Sequence, residues 1–132
     1  MDRRVGGFDA QLGVRAEEIS AERVELRLPV TPALHQPFGI VHGGAYCALV
    51  ESAASIGAAT WLGDEGRVVG VANQTDFLKA VSGGELIAVG TAVHRGYSQQ
   101  LWQVHITDGD GQLVARGQVR LQNLRPGGGR RS

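Results

Sequence analysis

The chain has 132 residues, no formal net charge and 42% apolar residues, which bounds it to one domain with a core of ordinary size. A balanced charge gives no global field to draw nucleic acid or a membrane surface, and the single cysteine excludes an internal disulfide. No apolar run has the length of a signal-peptide core or a membrane span, and a lone thiol fits a reducing compartment, so the expectation is a cytoplasmic protein.

Residues 1–13 place Phe8 and Leu12 four apart among Gly, Asp and Arg, as suits an N-terminal segment of short surface helix or loop. Val24, Leu26 and Leu28 alternate with Arg23, Glu25 and Arg27, the pattern of a half-buried strand, ended by Pro29, with Val14 to Ser20 as its hairpin partner. Residues 30–42 contain Pro32, Pro37 and Gly39 and read as loop. From about Gly44 to Leu62 runs a long, alanine-rich, proline-free helical pattern, stopped by Gly63-Asp64-Glu65-Gly66. Four strands follow, over Arg67–Ala80, Glu85–Gly96, Gln99–Asp108 and Gln112–Leu124. Asp108-Gly109-Asp110-Gly111 is a hairpin turn between the last two; as a calcium loop it lacks the later acidic ligands. Residues 125–132 read as a disordered tail after a main domain spanning 14–124.

One helix of about five turns with five or six antiparallel strands predicts an α+β domain whose sheet wraps around the helix. Alanine and glycine at helix positions 53–59 allow close backbone packing, as expected of a helix buried on several sides.

The chemistry concentrates where the loop meets that helix. Gly43 and Gly44 open it, and its first N–H groups have no intrahelical acceptor, so they and the helix dipole suit a developing oxyanion. Such a pair also serves simple turn geometry. Glu51 falls where the pattern calls for a buried hydrophobe, and burying an unpaired carboxylate costs several kcal/mol. It must therefore be satisfied by capping or by an arginine, or be used in catalysis. Eight residues of helix separate Gly43 from Glu51 by roughly 12 Å, whereas reacting groups need about 3–3.5 Å. Within one chain the two cannot serve the same carbonyl. Two helices packed antiparallel would bring Glu51 of one subunit to Gly43 of the other, giving two sites per dimer. Ser55 shares the face of Glu51, where it either holds the carboxylate or attacking water or is a small residue at a tight contact. Cys47 lies four residues before Glu51 on that face, but His42 is poorly angled to pair with it, and a structural thiol is the expectation.

At these residues the chain resembles the hotdog-fold acyl-CoA thioesterases, in the group typified by phenylacetate-pathway and Arthrobacter-type 4-hydroxybenzoyl-CoA thioesterases. The signature is Gln36 and then Gly39-Ile40-Val41-His42-Gly43-Gly44, with Glu51 and Ser55 on the helix. Asn73-Gln74-Thr75-Asp76-Phe77, His94 to Trp102 and Ala115 to Val119 extend the likeness over residues 8–124. The resemblance implies that Glu51 is the catalytic carboxylate, as nucleophile or general base, and that the Gly43 N–H polarises the thioester carbonyl. It further implies that Gln36 and His42 orient the thioester or water, with Gln36, His42 and Gly43 from one subunit facing Glu51 and Ser55 of its neighbour. His94-Arg95-Gly96 resembles the segment that meets the CoA phosphates, with Arg95 the leading candidate; Tyr97 stands where relatives often have a second arginine. The implied assembly is a homodimer, further paired into a homotetramer.

An oxyanion donor and one carboxylate suffice for thioester hydrolysis, because a thiolate leaves without much protonation. His35, His42, His94 and His105 show no metal-ligand spacing, so neither metal nor cofactor is expected; coenzyme A is part of the substrate. Phe38, Ile40, Tyr46 and Leu49 are candidates for an aryl or medium-chain acyl pocket, or for core. Two other readings are an enoyl-thioester hydratase or dehydratase, which calls for a histidine where this helix has none, and a non-catalytic acyl-CoA-binding module.

Overall fold

In the computed structural model, residues 5–127 are described. They form α1 (Phe8–Leu12), β1 (Arg15–Ile19), β2 (Val24–Pro29), α2 (Gly43–Leu62), β3 (Arg67–Phe77), β4 (Glu85–Arg95), β5 (Gln99–Thr107) and β6 (Leu113–Leu124). The six strands make one antiparallel sheet in the order β1-β2-β4-β5-β6-β3, and α2 packs across one face, touching all six strands. This is the hotdog arrangement that the resemblance implies. Residues 128–132, most of the expected tail, lie outside the described residues, whereas Arg125 pairs with Glu65 and lies over the Tyr97 ring.

Strand alternation builds the core. Val24, Leu26 and Leu28 of β2, Leu86 and Ala88 of β4, and Trp102, Val104 and Ile106 of β5 are fully buried against Leu49, Val50, Ala53 and Ala54 of α2. The buried positions of α2 run round most of its circumference, which is why its sequence shows no narrow apolar stripe. Small residues set the depth of contact. A Cβ on Gly57 would lie 2.5 Å from the Trp102 ring, and a Cβ on Gly90 of β4 would meet Ala53 at 3.4 Å. Gln100 and Asn123 are the buried polar side chains among the described residues, and they satisfy each other, the Trp102 indole N–H and the Ala58 carbonyl. Asn123 also donates to the carbonyls of Gly96 and Tyr97, which pins the β4–β5 turn to β6.

Two bulges decide which side chains reach the helix. The β3–β6 register slips between Gly70 and Ala72, and the β4–β5 register slips between Ala92 and His94. Each inserts one residue and reverses the alternation beyond it. Past Val71, Asn73, Thr75 and Phe77 face α2; past Val93, His94 turns to the outer face and Arg95 towards the helix. The sheet's two edges differ in character. β1 shows Arg15, Glu17 and Glu18 to solvent, whereas β3 exposes Val69, Val71 and Phe77 along an unpaired backbone.

The strand expected over Arg67–Ala80 leaves the ladder at Phe77. The N–H groups of Leu78 and Lys79 both converge on the Val114 carbonyl, which bends the chain out of register.

Candidate active site

The loop before α2 is tied by its own backbone. Gln36 donates to the Ile40 carbonyl at 2.8 Å, Gly39 donates to the Gln36 carbonyl at 3.0 Å, and the Gln36 side-chain oxygen accepts the Phe38 N–H. Gly39 adopts φ 81°, the left-handed conformation that favours glycine. The turn thrusts Phe38 outward, 89% exposed. The N–H of His42 donates to the Leu34 carbonyl at 2.8 Å, which seats the loop's end on the domain.

His42 is the N-cap of α2. Its Nδ1 accepts the Gly44 N–H at 2.8 Å, so the proton of the neutral ring sits on the exposed Nε2. That cap occupies Gly44, and Ala45 donates to the His42 carbonyl at 2.9 Å. The Gly43 N–H is left without a partner among the described residues. No acidic side chain sits in the first turn, so the dipole's positive end is uncompensated there. A Cβ on Gly43 would lie 2.4 Å from the Phe77 ring, so any larger residue there would displace that half-exposed ring.

Glu51 and Ser55 lie farther along α2 on the side that meets β3. Glu51 is half-buried rather than sealed in the core, and its carboxylate is hydrogen-bonded: Oε1 accepts from Asn73 Nδ2 at 3.1 Å, and Ser55 Oγ stands 3.5 Å from Oε2. Among the described residues no arginine pairs with it. Cys47 is half-buried and reduced, and its carbonyl accepts the same Asn73 amide at 3.1 Å.

α2 and β3 run in opposite directions here. Gly43 and Tyr46 lie at Phe77, with 5.7 Å between the Tyr46 and Phe77 ring centroids, while Glu51 lies at Gly70 and Asn73. The structure thus sets Gly43 and Glu51 at separate points along the α2–β3 contact, with Gln36 and His42 in the loop that leads into Gly43 and Ser55 one turn beyond Glu51; His42 itself lines a pocket with Phe8, Leu12, Leu34 and His35. The acyl-pocket candidates divide: Tyr46 and Leu49 are core, Ile40 is half-buried and Phe38 stands free in solvent. Burial pushes the Tyr46 phenol above its ordinary pKa, as desolvation penalises the phenolate.

His94 and Arg95 do not converge. His94 lines an outer-face groove of about 670 Å³ with Gln74, Gln99, Leu101, Gln118 and Arg120. Arg95 donates to the Ala21 carbonyl at 2.7 Å and lies 5.5 Å from the Trp61 ring centroid. Gly96 leaves room for the His94 ring, whose Nε2 lies 2.8 Å from where a Cβ would be. Among the described residues no three His, Cys, Asp or Glu side chains come together as a metal site, and no helix is long and apolar enough to cross a membrane.

Gly70 and Asn73 have no assigned part in the sequence reading. Their signal is a glycine inside a strand pattern, which marks a bulge or a close approach, and here marks both.

Residues 38–115 match the model of the thioesterase superfamily. A Mycobacterium tuberculosis protein, Rv1847, by name an esterase, is 49% identical over 120 residues, covering 89% of this chain and 86% of that one. The 1,4-dihydroxy-2-naphthoyl-CoA hydrolase of Listeria monocytogenes is 35% identical over 77% of this chain and 83% of its own length. Among solved structures, S. sahachiroi AziG superposes with a TM-score of 0.90 at 49% identity, covering 92% of this chain and 98% of that one. With a motif, a topology and relatives that agree, the chain belongs to the thioesterase superfamily and is a hotdog-fold thioester hydrolase.

Proposed function

We propose that this protein is an acyl-CoA thioesterase acting on aryl or medium-chain acyl groups, with two sites per homodimer. The observation that carries the reading is the presence on one helix of an unengaged Gly43 N–H, left open by the His42 cap, and a hydrogen-bonded, half-buried Glu51 carboxylate, both on the side that meets β3. The thioester oxygen sits at the Gly43 N–H and the helix dipole, where negative charge develops. His42 Nε2–H and the Gln36 amide are donors at the same end. Glu51 supplies the carboxylate, attacking the carbonyl itself or taking a proton from attacking water; both routes need the same geometry and expel a thiolate. The name of the Listeria relative, which specifies an aryl-CoA, supports the aryl arm of this reading.

In this reading Gly43 and Glu51 meet through a second subunit. β3 offers an unpaired apolar edge, whereas the β1 edge is guarded by charge. Antiparallel pairing of two β3 strands lays their α2 helices side by side in opposite directions. Each Glu51 then approaches the loop and Gly43 of its neighbour.

The test is turnover across a panel of aryl- and alkyl-CoA thioesters with wild type and Glu51→Ala. The variant is expected to lose about a hundred- to ten-thousand-fold in kcat while keeping its fold and its dimer. Undiminished turnover in Glu51→Ala overturns the assignment.

A further inference from the structure

The Glu51 carboxylate is held by a side chain on another element. We propose that Asn73 of β3 is a positioning residue that fixes Glu51 Oε1 and leaves Oε2 as the reacting oxygen, with Gly70 keeping the space in which Oε2 sits. The inference rests on the role given to Glu51 above.

The orientation of the Asn73 amide is forced. The Cys47 carbonyl can only accept, so the NH₂ side of the amide faces α2, and its two hydrogens go to the Cys47 carbonyl and Glu51 Oε1, each at 3.1 Å. Thr75 Oγ1 donates to Asn73 Oδ1 at 2.7 Å and holds the other side of the amide. Thr75 is itself set by Gly117, where a Cβ would come within 2.7 Å of its hydroxyl. The amide therefore references Oε1 to the backbone of the helix that carries Glu51, one turn upstream.

Oε2 is treated differently. Its nearest donor, Ser55 Oγ, lies at 3.5 Å, the outer limit of a hydrogen bond, so its lone pairs stay available. It projects over Gly70, where a Cβ would lie 2.1 Å from it. Any side chain at position 70 would push the carboxylate off its seat. Residues three apart on a regular strand face opposite sides of the sheet; the bulge at Val71 lets both Gly70 and Asn73 face Glu51.

The experiment compares kcat and KM of full-length wild type, Glu51→Ala, Asn73→Asp, Asn73→Ala, Thr75→Val and Gly70→Ala on the best acyl-CoA of the panel, with melting temperature and oligomer size for each. Asn73→Asp is close to isosteric but removes the donor and faces one carboxylate with another. A hydrogen bond to a charged group is strong enough that its kcat should fall about ten- to a hundred-fold, with KM unchanged within about two-fold. Gly70→Ala should lose kcat in the same way, and Thr75→Val should lose less. Where Asn73→Asp does not fold, Asn73→Ala carries the same expectation and Thr75→Val the smaller loss in kcat. Full kcat in the folded Asn73 variants, or a loss confined to KM or matched by lost fold, overturns the positioning role while wild type is active and Glu51→Ala is dead. An inactive wild type or an active Glu51→Ala overturns the functional reading and this inference with it.

Discussion

Single residues set how closely the sheet can approach the helix, and Gly57 is the tightest such contact in the core. An added methyl would meet Cζ3 of the fully buried Trp102 at 2.5 Å, and the indole cannot swing aside without breaking its 2.8 Å hydrogen bond to Gln100. Gly57→Ala should therefore destabilise the protein by about 1–3 kcal/mol through overpacking, read as a lower midpoint in chemical denaturation with a change in tryptophan emission. Turnover per folded molecule should be largely kept, since the contact lies away from the proposed site. Both partners are legible in the sequence: Trp102 alternates with Val104 and Ile106, and Gly57 sits in a run of small residues. Glu51 stands out too, as a lone carboxylate in an apolar helix. Asn73 does not. Counted along an unbroken strand from the core it points to the wrong face, and the extra residue at Val71 that reverses it has no signature beyond the neighbouring glycine.

At the scale of elements, strand alternation separates His94 from Arg95. They are adjacent in a motif that reads as one phosphate-binding unit, yet neighbours on a strand face opposite sides, and the bulge at Val93 decides that His94 takes the outer groove and Arg95 the helix side. Strand and helix positions follow from alternation and alanine content; the reach of particular side chains follows from where the ladder slips. Charge on the outer face of β2 is easier to read, because alternating Arg and Glu must line one side of the strand. There Glu25 accepts from Arg23 and from Arg27, each at 3.0 Å, and Arg27 reaches on to Glu85. Partial burial pushes the Glu25 carboxyl upward, but the two guanidinium groups outweigh it and hold the folded-state pKa below the ordinary 4.5. A depressed carboxyl pKa contributes stability that is present above the unfolded-state value and lost as pH falls through the folded-state value. Glu25→Gln should thus lower the melting temperature by a few degrees at neutral pH, and the gap to wild type should close on acidification below about 4.5. A gap that stays constant down to that range would assign the effect to packing instead of charge.

For the whole molecule, the proposed site requires two groups, the Gly43 N–H and the Glu51 carboxylate, that one chain holds far apart on the same helix. The Gly43–Glu51 separation of roughly 12 Å along α2 is fixed by helix geometry, and no side-chain rotation closes it. The apolar edge of β3 points to the remedy, a second copy running the other way. This arrangement predicts complementation. In a dimer of Glu51→Ala with a Gln36→Ala/His42→Ala chain, one site takes its loop from the first chain and its carboxylate from the second, and is intact. The other site is doubly defective. Unfolding and refolding an equimolar mixture of the two inactive proteins makes half of the dimers mixed, each with one working site of two, so activity should return to about a quarter of wild type under twofold symmetry. Neither protein refolded alone should recover. A mixture that stays inactive although mass analysis shows mixed dimers would mean that each site is built within a single chain, and that site would then need a different carbonyl-polarising group near Glu51.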